Sequence, residues 1–355
     1  MATQPLEINL DIDPQHRFEI IDVAALLRHE AGDVLDGFRK VVYCSLHTTA
    51  GYLEQGVCAR LGHSRKQLDP LFRAIQKIFP HDAGYLHDCI QLRDELSASE
   101  KEREPINADS HLTFISAGLK NCVTYTHKPD QPVYFIELDG IYKEYRRQRH
   151  TAVLAYDDAE IVHRERLAVP VATEHLIESF NLKDPRHGLF EQLEDWLDRF
   201  GIEKGQIDIR LAPEEHHVGL IVNEYETLLM RNDLPEVLRD PLSYMVKHGK
   251  KLLRHPTTIP GKTLDYATFD LIHLYNEFMD VLPMRSAVDK IISVLSTPAS
   301  RILRLKRNIS MLVSSSAETG PERIVQGTYQ SPILVQHQAA KEGVRHFDVT
   351  LRSFI

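Results

Sequence analysis

The chain closes its two halves in the same manner, and this repetition limits the folds open to it more than any other feature. The first ending reads Asp130-Gln131-Pro132-Val133-Tyr134-Phe135-Ile136-Glu137-Leu138-Asp139, followed by Arg146-Arg147-Gln148-Arg149 and the apolar Ala152-Val153-Leu154. The second reads Tyr329-Gln330-Ser331-Pro332-Ile333-Leu334-Val335-Gln336-His337-Gln338, then Arg345 and Phe347-Asp348-Val349. Each joins a glutamine, a nearby proline and an apolar strand to a last strand that follows basic residues. The beginnings correspond more loosely. Val41–Leu46 leads into His47-Thr48-Thr49-Ala50-Gly51, and Ile207–Leu211 leads into His216-His217-Val218-Gly219 and then Asn223-Glu224. Two diverged copies of one unit account for the pattern. The alternative is chance similarity between antiparallel segments.

Between these endings the elements follow from residue spacing. Val41–Leu46 is rich in β-branched and aromatic residues and reads as a strand, as do Asn121–His127 and Val133–Leu138. Leu71, Phe72, Ile75, Ile78 and Phe79 fall at helical spacing, with Pro70 at the entry and Pro80 at the exit. Arg93–Glu104 is charge-rich and reads as a solvated helix or loop. A boundary is expected from about Ala159 to Asp184, where Pro170 and Pro185 flank a mixed segment. Leu189, Phe190, Leu193, Trp196, Leu197 and Phe200 then form one helical face closed by Gly201, with Trp196 in the core. Ile207, Ile209 and Leu211 alternate cleanly. Leu264–Leu295 has a strongly helical pattern, and Ile309–Ser314, Ile333–Val335 and Phe347–Leu351 read as strands. Strands surrounding a helical middle in both halves give an α+β class, with units at 1–160 and 161–355.

Composition excludes several classes. The chain has 355 residues, 43% hydrophobic and 26% charged, a globular mix. Lys+Arg is 42 against Asp+Glu 51, a net charge of −9. That balance argues against a nucleic-acid partner, which needs a basic footprint. No apolar run approaches the ~20 residues of a membrane span. The first residues lack a basic n-region followed by an apolar h-region, so a cytoplasmic protein is expected. Cys44, Cys58, Cys89 and Cys122 form no C-x-x-C pair, which indicates neither a zinc ribbon nor a disulfide scaffold.

The 19 histidines are the unusual count. His47 ends a strand. His87 stands in an aromatic-flanked loop beside Asp88, and His111 follows Asn107-Ala108-Asp109-Ser110. Three neutral imidazoles suit a borderline cation such as Zn²⁺ or Ni²⁺ and leave a position for water or substrate. Such an ion would lower the pKa of bound water or polarise a substrate oxygen, and Asp88 or Asp109 could orient an imidazole. The competing reading is that each histidine satisfies only local hydrogen bonds.

The runs HTTAGYLE, FPHDAGYLHD, NADSHL and QPVYFIELDG…RRQR together resemble the YjbQ family, often named secondary thiamine-phosphate synthase. The resemblance covers roughly residues 18–155 and, more faintly, the rest of the chain. It implies two tandem units, each an antiparallel, sandwich-like sheet with helices, in a homo-oligomer, usually a trimer. It also implies a divalent metal, Zn first, on His47, His87 and His111, with Thr48, Thr49, Asp88, Asn107, Gln131 and Glu137 around it and anion binding nearby. The departures are specific. Glu54-Gln55-Gly56 stands where the family has Asn-Glu, and the second half supplies Asn223-Glu224 there. The second half also keeps Gly327-Thr328-Tyr329-Gln330, close to the family's G-T-W-Q. It has Gln336 for Glu137, and Pro298–Leu303 in place of the N-A-x-x-H-L motif. A composite site drawing Asn223 and Glu224 from the second half is therefore expected.

The roles leave alternatives open. Glu137 or Asp88 is the candidate general base; Glu137 reads equally as a sheet-surface charge paired with Arg146 or Arg149. Thr48 and Thr49 suit a phosphate or simply a strand. Lys143, Arg146, Arg147 and Arg149 could attract an anion, but a solvated strand edge is favoured. His216-His217 and Lys250-Lys251 near Arg254 are expected on the surface. The leading function is a metal-assisted transferase, lyase or hydrolase acting on a small, phosphorylated or otherwise anionic metabolite. The alternative is a non-catalytic metal- or ligand-binding scaffold with a degenerate second copy.

Overall fold

A computed structural model describes residues 4–94, 96–171, 177–239, 244, 305–315 and 323–355. The helical pattern at 264–295, the segment 298–303 and residues Lys250, Lys251 and Arg254 lie outside them. The described residues form helices and antiparallel sheets, an α+β architecture. They fall into two compact units. A sheet unit draws on Met1–Ala59, Leu119–Tyr225 and Leu305–Ile355, and a helical unit on Arg60–Gly118 and Glu226–Arg304.

In the sheet unit, β-branched and aromatic runs make strands where alternate side chains have a face to bury. The first half contributes β1 (Leu6–Ile12), β2 (Glu19–Asp22), β3 (Lys40–Ser45), β4 (Ala50–Tyr52), β5 (Cys122–Thr126), β6 (Tyr134–Glu137), the hairpin β7 (Ile141–Tyr142) and β8 (Tyr145–Arg146), and β9 (Arg149–Tyr156). The second contributes β10 (Ala159–Pro170), β11 (Glu178–Asn181), β12 (Lys204–Leu211), β13 (Val218–Glu224), β14 (Asn308–Ser314), β15 (Ile324–Val325), β16 (Gln330–Gln336) and β17 (Val344–Phe354). Four of the first-half strands pair in the order β1-β9-β3-β5, and β2, β6 and β4 form a separate sheet. The second half pairs as β10-β17-β12-β14-β15, with β11-β16-β13 as its separate sheet. Strand for strand, apart from the added β15 in the second half and the β7-β8 hairpin in the first, the two orders coincide. The register coincides too: Glu137 lies opposite Glu19 and Ala50, and Gln336 opposite Glu178 and Val218.

Helix α1 (Val23–Ala31) starts where the Asp22 side chain accepts from Ala25 N–H, and it buries Val23 and Leu27. A short α2 (Gln55–Arg60) follows β4. The second-half core packs Leu193, Trp196 and Leu197 of α6 (Leu189–Phe200) among Ile207, Ile209, Val349 and Leu351. A further core joins the halves: Val42, Cys44 and Leu154 pack with Leu312, Val325 and Phe354. Within it the Tyr156 and Phe354 rings stack at 3.9 Å.

In the helical unit α3 (Arg65–Ile78) buries Phe72, Ile75 and Ile78 of the expected stripe, together with Leu68, whereas Leu71 is only half-buried. It begins before Pro70, which sits inside the helix and not at its entry. There proline cannot donate to the carbonyl four residues back, and the buried stripe on both sides outweighs that loss. The charge-rich Arg93–Glu104 segment is mostly exposed, as expected, with one exception. Arg93 is buried with Nη1 2.6 Å from Glu104 Oε1, and α4 (Ala98–Arg103) opens on a Ser97/Glu100 capping box. Helix α5 (Ala108–Ala117) is buried along its whole length, including Asp109, Ser110 and His111, and ends on Gly118 at φ 70°. Helix α7 (Leu234–Arg239) buries Leu234, Val237 and Leu238. Among the described residues no helix is long and apolar enough to cross a membrane.

Candidate functional site

The polar residues singled out by sequence form one cluster in each unit. The sheet-unit cluster is built on the loop between β3 and β4. Ser45 Oγ donates to Ala50 O (2.7 Å) and accepts from His47 N–H (3.3 Å), which pins the loop to its own ends. His47 Nε2 accepts from His150 N–H at 2.7 Å, and its Nδ1 lies 3.5 Å from Arg149 Nη1. Burial and then the Arg149 guanidinium, with His150 and Arg147 adding to it, push the imidazole down to about 2. His47 is therefore a neutral acceptor at any ordinary pH.

Arg149 is not part of a solvated edge. It is 2% exposed, and its Nε and Nη2 hold Glu137 at 2.6 and 2.8 Å in a two-point ion pair. Nη2 also donates to Thr49 Oγ1 (3.3 Å) and Asp139 O (3.0 Å). Glu137 is fully buried and also accepts from Asp139 N–H (2.7 Å). Burial pushes its carboxyl up, against the opposing pull of Arg149. Of the four basic residues in that run, Arg147 pairs with Asp139 and Arg146 reaches Gln15 Oε1 at 2.7 Å.

The second half enters this cluster directly. Asn223 Nδ2 donates to Thr48 O (3.0 Å), and Gln330 Nε2 donates to Ser45 O (2.9 Å) and His47 O (2.8 Å). Gly327 lies so close that a Cβ there would fall 1.8 Å from Leu46 O, which requires glycine. Glu224, half-buried, follows Asn223 and donates its N–H to the Asn223 side chain (2.9 Å). Gln131 lies elsewhere in this unit, in the turn before β6, and lines a cleft with Leu27, Tyr43, Tyr125 and Lys128.

The helical-unit cluster surrounds His87. This residue is fully buried, and Nδ1 donates to Glu226 Oε2 at 2.7 Å. Nε2 lies 3.1 Å from Asn107 Oδ1. The His111 ring stands edge-on to His87, with centroids 5.2 Å apart. Asp233 accepts the backbone N–H groups of Leu86 (3.0 Å) and His87 (2.9 Å). Glu226 also accepts from Leu228 and Leu229 N–H, and these bonds with His87 hold its carboxyl low despite burial. Asp88 Oδ1 accepts from Asn107 and Ala108 N–H at 3.0 and 2.9 Å, at the start of α5. Its Oδ2 is buried with no hydrogen-bond partner. Burial raises the Asp88 carboxyl to about 6.

Of the residues expected at a site, His87, His111, Asp88 and Asn107 come together in the helical unit. His47, Thr48, Thr49, Glu137 and Asn223 come together in the sheet unit. Among the described residues no group of three or more His, Cys, Asp or Glu side chains is arranged to hold a metal ion. His87 has a carboxylate on Nδ1, the orientation that ligating histidines commonly carry, but its Nε2 already faces Asn107. The donor set of an intact three-histidine centre is not met. Sequence reading missed Glu226 and Asp233, which share no motif with His87 and lie more than a hundred residues away in the chain.

No protein-family model matches the chain, and no curated protein matches it. Several solved structures resemble it. One, described as a YbjQ-like protein of unknown function from Sulfolobus solfataricus, is 16% identical, with a TM-score of 0.30 over 55% of this chain and 99% of its own. A hypothetical protein from Aeropyrum pernix is 14% identical, with a TM-score of 0.28 over 54% and 98%. An uncharacterized YjbQ-family protein from Clostridium acetobutylicum is 11% identical, with a TM-score of 0.24 over 53% and 98%.

Proposed function

We propose that the chain is an enzyme acting on a small phosphorylated metabolite, with acid–base chemistry at the His87 cluster. The observation that carries this reading is the buried His87–Glu226 pair at 2.7 Å, beside an Asp88 carboxyl raised to about 6. A carboxyl with that value exchanges protons near neutral pH, and its unpartnered Oδ2 is the atom that would take one. Glu226 would hold the His87 ring in one tautomer and orientation. His111 and Asn107 would border the reacting group. Thiamine-phosphate synthesis is the reaction that the sequence resemblance supplies.

The test is a mass-spectrometric turnover assay on a panel of phosphorylated metabolites, including thiamine precursors. Loss of turnover in Asp88→Asn and His87→Gln supports the reading; turnover that survives both substitutions removes it. Zn²⁺ is the ion that the sequence resemblance implies for His47, His87 and His111, and the acid–base chemistry proposed at His87 does not depend on it. Equal metal content in wild type and a His87→Ala/His111→Ala variant overturns that part alone. A cytoplasmic homo-oligomer belongs to the same proposal, and light scattering checks the oligomer.

A second reading, a ligand-binding scaffold, is favoured by one feature: both ring nitrogens of His87 are already engaged. Binding of a panel member without turnover would select it.

We further infer that the halves are diverged copies of one YjbQ-like unit, divided near residue 160. The coincidence of both strand orders supports this, as does the shared glutamine, Gln131 and Gln330, six residues before Glu137 and Gln336 respectively. Superposition of 6–156 on 159–354 in an experimental structure checks it: strands that fail to align in order reject it.

A further inference from the structure

Cys44 and Cys122 face each other across β3 and β5. The bond from Ser45 N–H to Asn121 O (2.8 Å) settles which kind of pair they form. In an antiparallel ladder, hydrogen-bonded and non-hydrogen-bonded pairs alternate. Ser45 and Asn121 are a bonded pair, so the next pair, Cys44 and Cys122, is non-bonded. That is the class with Cα atoms ~4.5 Å apart and side chains closest, within the ~4.4–6.8 Å that a disulfide spans. Both thiols are free and buried, at 2% and 4% exposure. They lie in the core between the halves, with the Cys44 thiol donating to Val325 O at 4.0 Å. The neighbouring Cys44 thiol, together with burial, pushes Cys122 well above the ordinary thiol range. Strand β5 is the edge of its sheet. The chain between the cysteines carries the whole segment Arg60–Gly118 of the helical unit, so a bond here would close the base of that insertion.

We propose that Cys44 and Cys122 are a modification site: a dithiol that a hydroperoxide converts to a cross-strand disulfide. The two thiols and one hydrogen peroxide give one disulfide and two waters. The S–S bond forms, the O–O bond breaks, each sulfur loses one electron to the peroxide oxygens, and both thiol protons end on water. Buried neutral thiols are poor nucleophiles. The reaction therefore proceeds through local opening of the edge strand, and the pair stays reduced under a strong thiol buffer.

The experiment treats the folded full-length chain with hydrogen peroxide, quenches it and maps the peptides without reduction. The expected product is a Cys44–Cys122 cross-linked peptide, two hydrogens lighter than the free pair. Formation should slow by at least tenfold when the edge is held closed by a stabilising osmolyte. The thermal midpoint rises by several degrees and falls back on reduction. A Cys58→Ser/Cys89→Ser variant gives the same product if it folds; the wild-type map stands without it. Overoxidation of either cysteine without the cross-link overturns the proposal. So does a cross-link that forms only after denaturation.

Discussion

Two buried arginines, Arg149 and Arg345, stand near the start of the last strand of each half, and their charges are met differently. Arg149 finds its carboxylate on β6, in Glu137, and the β3–β4 loop offers only uncharged groups, the His47 imidazole and the Thr49 hydroxyl. In the second half β16 offers the neutral Gln336 (3.3 Å from Arg345 Nε), and the β12–β13 loop supplies Glu215 (2.8 Å from Nη1). The rest is shared. Arg149 donates to Asp139 O and Arg345 to Gln338 O. The next residue gives its N–H to the loop: His150 to His47 Nε2, His346 to Glu215 Oε1. One arginine therefore tolerates its counter-charge on either strand or loop, provided that an acceptor fills both places. The carboxylates feel the difference. Burial pushes Glu137 up. At Glu215 burial acts the same way, but the bonds from Arg345 and His346 outweigh it and hold the carboxyl low.

Replacing Arg149 breaks the pair that is harder to replace. Arg149→Met leaves a fully buried carboxylate without its cation and should cost ~3–5 kcal/mol in a urea unfolding curve. Arg345→Met should cost roughly 2 kcal/mol, because Glu215 keeps the His346 N–H bond and Gln336 carries no charge. Equal losses would show that the two sites are energetically alike.

Acid separates the halves by pH. His47 has its folded value pressed from 6.5 to about 2. A depressed group contributes stability above its unfolded value and loses it as pH falls. Stability should drop from pH 6.5 downward, by ~2 kcal/mol at pH 5 for one proton. Glu215, also depressed, weakens only below its ordinary 4.5. Glu137 has the opposite sign: its raised value favours the fold at low pH and opposes it as pH rises. Between pH 6.5 and 4.5 His47 alone among the three weakens the fold as pH falls, and His47→Gln should flatten that limb. An unchanged limb would place the acid sensitivity elsewhere.

The strands were legible because a half-buried sheet writes its period into β-branched and aromatic residues, as at Ile207, Ile209 and Leu211. Helix α6 (Leu189–Phe200) was legible down to its last residue, because Gly201 takes a left-handed conformation at φ 60°. The start of α3 was hidden because a buried stripe overrode Pro70. The two clusters were only half legible. His87, Asp88, Asn107 and His111 stand in the runs FPHDAGYLHD and NADSHL that carry the sequence resemblance. Glu226 and Asp233 do not, since only the fold brings them to His87. Arg149 lay in a run of basic residues, and composition cannot tell which of four cations turns inward.

Exchanging the loop and strand residues sharpens the equivalence further. Glu215→His alone should destabilise, and adding Gln336→Glu should restore ~1–2 kcal/mol by rebuilding the Arg149 arrangement around Arg345. Additive losses in the double-mutant cycle would deny that the two arginine sites are interchangeable.

The smallest expected difference lies between Gln131 and Gln330, which hold equivalent places six residues before Glu137 and Gln336. Gln330 Nε2 bonds two loop carbonyls, Ser45 O and His47 O, while its Oε1 accepts from Gly327 N–H at 2.9 Å. Gln131 borders an open cleft. Gln330→Ala should therefore cost ~1–2 kcal/mol, limited because Asn121 Nδ2 still serves His47 O. Gln131→Ala should stay within ~0.5 kcal/mol. Since Gln330 holds the His47 loop from the second half, its removal should also speed amide exchange at His47 and Thr48, while Gln131→Ala leaves those rates unchanged. Matching exchange in both variants would mean that the loop is held by the first half alone.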